Sequence, residues 1–252
     1  MTARTENPAG GYAYVPGLSF ASQGVAALPG FTIVRAVLPR PLPLAAGFAA
    51  VERRLADEGR PPAALCGLEL RMPGALTRQG FVDFNAAYVG RLDAWGLLRD
   101  GVPPLARTNV IPVGDPPPEP AVHAFSYTVP GGGPGGTYVV SGVAEVPLGS
   151  DFPTGIVRPG ERDADALGEK ATVIIGEIRR CLDALGVRWE PSDPVTLYSP
   201  HAVAAEVAHE RLAAVAGVRP RSGVAWQRTW PPVTGLELEL DVRRVGADLY
   251  LP

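Results

Sequence analysis

The order of periodic segments along this chain runs twice through one pattern, and that repetition limits the fold more than any single motif does. Phe20 to Ala26 and Phe31 to Leu38 carry apolar and β-branched residues around a Pro29-Gly30 turn and read as a hairpin. Leu44, Phe48, Val51 and Leu55 then recur at helical spacing, with Glu52, Arg53 and Arg54 off that face. Leu65 to Arg71 reads as a strand, Gln79 to Leu92 as a second helix, and Thr108 to Val113 and Ala121 to Val129 as two further strands. A Gly/Pro-rich linker over 130–136 follows, after which the order resumes. Thr137 to Val146 reads as a strand, and Ala164 to Leu185 as a helix stopped by Gly186. Val195 to Tyr198 is a strand, Ala202 to Val215 a helix, Val224 to Arg228 a strand, and Leu236 to Val242 a closing strand of strict alternation. Residues 1–130 and 131–252 are thus expected to be two α+β domains, each a mixed sheet with two helices packed on one face.

Composition narrows the function. At 46% apolar and 19% charged residues the chain can bury a core, and its 28 prolines and 30 glycines sit between apolar runs as turns. A formal charge of −3 lacks the broad positive field that nucleic-acid phosphates require, so no nucleic-acid partner is expected. No apolar run is long enough to span a bilayer, and Met1 to Gly11 lacks an export signal's apolar core, so a cytoplasmic location without membrane contact is expected. Cys66 and Cys181 fall in apolar patterns and read as small buried hydrophobes. His123, His201 and His209 match no zinc spacing, so no metal is assigned. The glycine run at 131–136 lacks the Lys-Ser/Thr of a phosphate cradle. Lys170, the only lysine, falls on the polar side of its helix; Schiff-base chemistry with pyridoxal phosphate is not expected, and no cofactor is assigned. Trp95, Trp226 and Trp230 are assigned to core or interface packing.

Laid over one another, the two units match Phe31 to Pro39 with Thr137 to Pro147, and Leu105-Ala106-Arg107-Thr108 with Arg219-Pro220-Arg221-Ser222. The second unit carries Tyr138-Val139-Val140-Ser141-Gly142 and Leu236-Glu237-Leu238-Glu239-Leu240; the first carries Ser22-Gln23-Gly24-Val25 and Gly80 through Tyr88. On these residues the chain resembles the Rid/YjgF family of enamine and imine deaminases from Leu18 to Val242, in a tandem form similar to 2-aminomuconate-type deaminases. The resemblance implies two fused chorismate-mutase-like domains, the first degenerate. It also implies a hydrolase that releases ammonia from a small enamine or imine carboxylic acid, and closure into a homotrimer.

The resemblance further assigns residues. Arg221 becomes the substrate-carboxylate clamp and Glu237 the water-handling acid, with Glu239 next in line. Ser141, Gly142, Arg107 and Asn85 become substrate-binding residues. The residue types suit the chemistry: a guanidinium presents two parallel donors to a carboxylate, and a carboxyl group moves protons to and from an enamine and a water. The first unit's last strand, Ala121-Val122-His123-Ala124-Phe125, has no glutamate, while the second has Glu206 and His209 where an asparagine and a tyrosine are expected. Catalysis is therefore expected to centre on the second unit, in a site combining Ser141, Gly142, Arg221 and Glu237 with residues of the first. For Glu237, Glu239 and Asp241 a solvated acidic stripe is the alternative. For the whole chain the alternatives are a chorismatase-like hydrolase of a dicarboxylate and a non-catalytic carboxylate-binding subunit.

Overall fold

Residues 4–132 and 136–252 are described by the structure, a computed structural model; residues 133–135 of the expected linker and 1–3 of the N-terminal segment lie outside the described residues. Strands β1 (Thr5–Asn7), β2 (Tyr12–Val15), β3 (Gly24–Ala27) and β4 (Phe31–Pro43) precede α1 (Leu44–Asp57), β5 (Leu65–Arg71), α2 (Arg78–Ala94), β6 (Ala106–Pro112) and β7 (Ala121–Pro130). The second half supplies β8 (Tyr138–Val140), β9 (Val143–Ala144), α3 (Ala164–Leu185), β10 (Val195–Tyr198) and α4 (Val203–Arg211). It ends with β11 (Val224–Gln227), β12 (Thr229–Trp230), β13 (Glu239–Arg244) and β14 (Ala247–Tyr250). Local chemistry fixes the helix ends. Asp163 Oδ1 accepts from the Ala166 N–H at 2.8 Å to start α3, and Gly186 ends it at φ 73°, a left-handed conformation glycine adopts without a Cβ penalty.

The strands form two mixed sheets, ordered β12-β6-β5-β7-β4-β14 and β1-β2-β3-β8-β13-β10-β11. Within them the run β6-β5-β7-β4 is matched by β11-β10-β13-β8, with one parallel and two antiparallel pairings in the same positions. Helices α1 and α2 cover one face of the first sheet through Phe48, Val51, Leu55, Tyr88 and Leu92. Helices α3 and α4 cover the second sheet, where Ile174, Ile178 and Leu182 meet Leu238, Leu240 and Val242. Each such buried aliphatic side chain contributes roughly 1.5–3 kcal/mol.

Strand exchange between the halves departs from the sequence reading. The expected hairpin does not form: β3 pairs with β2 and β8, whereas β4 pairs with β7 and β14. The Pro29-Gly30 turn instead hands the chain from one sheet to the other, with Gly30 at φ 84°. Strands β1 and β2, which carry no strong alternation signal, extend the second sheet, while β12 and β14 join the first. The expected strand over 137–146 breaks into β8 and β9 around Ser141-Gly142, and the helix over 202–215 ends at Arg211 before a π turn, Leu212–Ala216.

The faces left bare by the helices meet each other. Thr108 of β6 donates to Asp241 Oδ2 of β13 at 3.1 Å, and Tyr198 donates to the same oxygen at 2.8 Å. Alternation through 238–241 therefore sends Leu238 and Leu240 towards α3 and Asp241 towards the opposite sheet. Glu237, Glu239 and Asp241 are 2%, 4% and 3% exposed, so they form no solvated stripe. Lys170 also corrects its sequence reading: it is fully buried, donating to the Val157 carbonyl at 2.7 Å and pairing with Glu145 at 3.3 Å. Glu145 in turn accepts from the backbone N–H groups of Glu237 (2.6 Å) and Leu238 (3.1 Å), fixing the entry to β13. Cys66 and Cys181 are free and buried. Among the described residues no helix is long and apolar enough to cross a membrane.

Candidate active site

Strand alternation in β6 turns Arg107 and Asn109 to one side and Thr108 to the other. Arg107 is 6% exposed. Its Nη1 donates to Asn85 Oδ1 of α2 at 2.8 Å, and its guanidinium carbon lies 4.5 Å from the centre of the Phe20 ring and 4.7 Å from that of Tyr88. The aromatic faces offset part of the cost of burying a cation. Burial still lowers the Arg107 pKa to about 10, which leaves the group charged at neutral pH.

The break between β8 and β9 ties this arginine to the second half. The Arg107 backbone N–H donates to Ser141 Oγ at 3.0 Å, the Ser141 hydroxyl donates to the Ser22 carbonyl at 2.6 Å, and the Gly142 N–H donates to the Arg107 carbonyl at 3.1 Å. Segments around residues 22, 107 and 141 are thus stitched at one point. Glu239, the first residue of β13, lies against this junction: a Cβ added at Gly142 would overlap its carboxyl group. Burial, reinforced by the charge of Asp241 and opposed by that of Arg107, pushes the Glu239 carboxyl up to about 8. A proton donor and a fixed cation, one from each half, therefore flank the same junction.

Both border a cavity of about 410 Å³ whose lining also includes Ser141, Gly142 and Asn109, with Phe20, Phe81 and Phe152 among its apolar walls. Arg78, the first residue of α2, lines the same cavity from an exposed position and makes no ion pair among the described residues.

Of the residues assigned from the sequence, Glu239, Arg107, Ser141 and Gly142 line this cavity, and Asn85 holds Arg107 from behind. Arg221 and Glu237 do not join them. Arg221 is exposed in the Pro220–Gly223 turn that precedes β11, with its backbone N–H donating to the Pro191 carbonyl. Glu237 precedes β13 and is committed elsewhere, to Arg162 Nε at 2.9 Å and His201 Nε2 at 2.7 Å. The overlay matched a strand arginine with a turn arginine, and the resemblance put Glu237 ahead of Glu239, which follows it by two residues and opens β13. Glu206 is exposed and His209 half-buried on α4. None of the three tryptophans singled out lines the cavity: Trp95 packs edge-on against Phe48, Trp230 against His201, and Trp226 donates to the Ser199 carbonyl. Sequence reasoning passed over Asn109, Ser22 and Arg78, although Asn109 stands two residues after Arg107, the spacing that returns a strand residue to the same face.

A family model described as 2-aminomuconate deaminase CnbZ matches residues 4–249 of the chain. A 2-amino-5-chloromuconate deaminase of Comamonas testosteroni is 40% identical over 241 residues, covering 93% of each chain. Among solved structures, a chorismatase superposes with a TM-score of 0.52 and 17% identity over 95% of this chain and 78% of that one, a likeness of fold.

Proposed function

The chain belongs to the 2-aminomuconate deaminase family, whose members are enzymes, and we propose that it hydrolytically deaminates a 2-aminomuconate-type enamine dicarboxylate in the cavity bordered by Arg107 and Glu239. One observation carries this reading: a buried, charged arginine and a buried, protonated carboxyl from opposite halves line the same apolar cavity.

The chemistry follows from those two groups. Arg107 holds the carboxylate next to the amino-bearing carbon with paired donors. Neutral Glu239 gives its proton to the neighbouring alkene carbon, and the nitrogen lone pair forms the C=N bond of an iminium ion. The resulting carboxylate takes a proton from water as the water oxygen bonds to the iminium carbon. Nitrogen then accepts a proton and leaves as ammonia while the hydroxyl loses its proton, leaving a 2-oxo acid. Arg78, on the exposed side, is the cation available to the second carboxylate. This division supports a dicarboxylate over a monocarboxylate.

A Rid/YjgF relationship, with 1–130 and 131–252 as copies of one unit, belongs to the same reading, and the matched pairing orders support it. It also includes a cytoplasmic homotrimer, which mass by light scattering tests. For the activity, the experiment is incubation with 2-aminomuconate and its 5-chloro analogue, with chorismate as control, followed by ammonia measurement. Ammonia from either amino acid is expected; release from neither would overturn the reading.

A further inference from the structure

Asn109 is 4% exposed and lines the cavity, yet neither its Oδ1 nor its Nδ2 has a hydrogen-bond partner within the protein. Ser22, also on the lining and 2% exposed, has a hydroxyl oxygen in the same condition. Buried polar atoms are nearly always satisfied, because leaving one unpaired forfeits its hydration without return. Three such atoms on two residues that line the cavity therefore point to a polar partner that arrives from the cavity. Geometry says which part of the substrate that is. Asn109 is two residues beyond Arg107 on the same strand face, about 7 Å along β6. It thus stands next to the carboxylate held by the arginine, beside the amino-bearing carbon. Its backbone N–H also faces the Glu239 carboxyl, which lines the same cavity.

We propose that Asn109 is the subsite for the reacting nitrogen and the attacking water: the amide oxygen accepts from the substrate amino group and the amide nitrogen donates to the oxygen added at that carbon. This inference rests on the deaminase reading above. An asparagine suits both roles because it carries a donor and an acceptor on one planar group and titrates at no physiological pH. The subsite is specific to the carbon bearing nitrogen, whereas the two arginines read only the carboxylates.

The test uses Asn109→Leu, similar in shape and without polar atoms, and Asn109→Ala in case leucine disturbs folding. Three quantities are measured: kcat on 2-aminomuconate, the thermal midpoint, and the affinity for muconate, the same dicarboxylate lacking nitrogen. The expected result is a fall in kcat of about 100-fold or more, with muconate affinity within about 3-fold of the unaltered protein. The thermal midpoint should hold or rise, because no internal hydrogen bond is lost. Unchanged kcat, or a lowered midpoint with muconate binding lost in parallel, would assign Asn109 a structural role and overturn the inference while leaving the deaminase reading intact. An unaltered protein that releases no ammonia would overturn both.

Discussion

The two halves of the molecule share a strand order but supply opposite parts of the cavity. The first half provides the arginine, held by Asn85 and stacked among aromatic rings, while its strand β7 offers His123 and no acid. Burial and nearby arginines lower the His123 pKa to about 4, so that side chain is neutral at physiological pH. The second half provides Glu239 and the Ser141-Gly142 break, while its own arginine, Arg221, stands exposed in a turn. Each half lacks what the other brings. A shared strand order thus does not repeat a site; the proposed site lies where β6 of the first half is stitched to the Ser141-Gly142 break of the second, and the strand exchange by β1–β3, β12 and β14 joins the two sheets.

The two halves differ most in their arginines. Arg107→Ala is expected to lower kcat/KM for the amino-dicarboxylate by about 1,000-fold, because it removes the buried carboxylate partner. Arg221→Ala should stay within about 2-fold, as surface substitutions do. Steady-state kinetics on both decide it, and a reversed order would return the site to the second half alone. Gly142→Ala comes next, with a loss of about 100-fold, since the added methyl group displaces the Glu239 carboxyl; a variant of normal rate would show that the acid does not need that position.

A pH series sharpens the same contrast. Glu239 carries its proton below about 8, so kcat should fall as pH rises through that value. Stability follows with the same sign. At low pH the folded and unfolded chains both keep the proton, and stability declines between the ordinary carboxylate range and about 8, as only the folded chain resists ionising a buried acid. Glu239→Gln should therefore melt higher than the unaltered protein at pH 9 and nearly equal at pH 4; equal melting at both would contradict the burial argument. The smallest effect belongs to Arg78. Arg78→Ala should raise KM about 10-fold for a dicarboxylate with little change in kcat, and an unchanged KM would remove it from substrate recognition.

Much of the fold was legible because its signals are local. The periods of α1, α3, β5 and β10 are written in residues three to four or two apart, and Gly186 marks the end of α3 unaided. The exchange of strands was not legible, since Pro29-Gly30 reads the same whether the next strand turns back or crosses to another sheet. Four of the seven assigned site residues line the cavity and Asn85 supports it, but which acid and which arginine meet there was hidden. Glu237 and Glu239 share a face and a residue type; they differ in what stands opposite, His201 and Arg162 for one, Gly142 and Arg107 for the other. Such neighbours are set by packing between segments 36 to 132 residues apart (237 − 201 and 239 − 107), which no short window on the sequence spans.

The most direct test sets these two acids against each other. Glu239→Gln and Glu237→Gln are compared for kcat on 2-aminomuconate at pH 7, with folding verified by thermal midpoint. A site shared between the halves predicts a loss of about 1,000-fold for Glu239→Gln. For Glu237→Gln it predicts a rate within about 3-fold of the unaltered protein, with stability lowered through the lost Arg162 and His201 contacts. Full activity in Glu239→Gln together with an inactive, folded Glu237→Gln would contradict it.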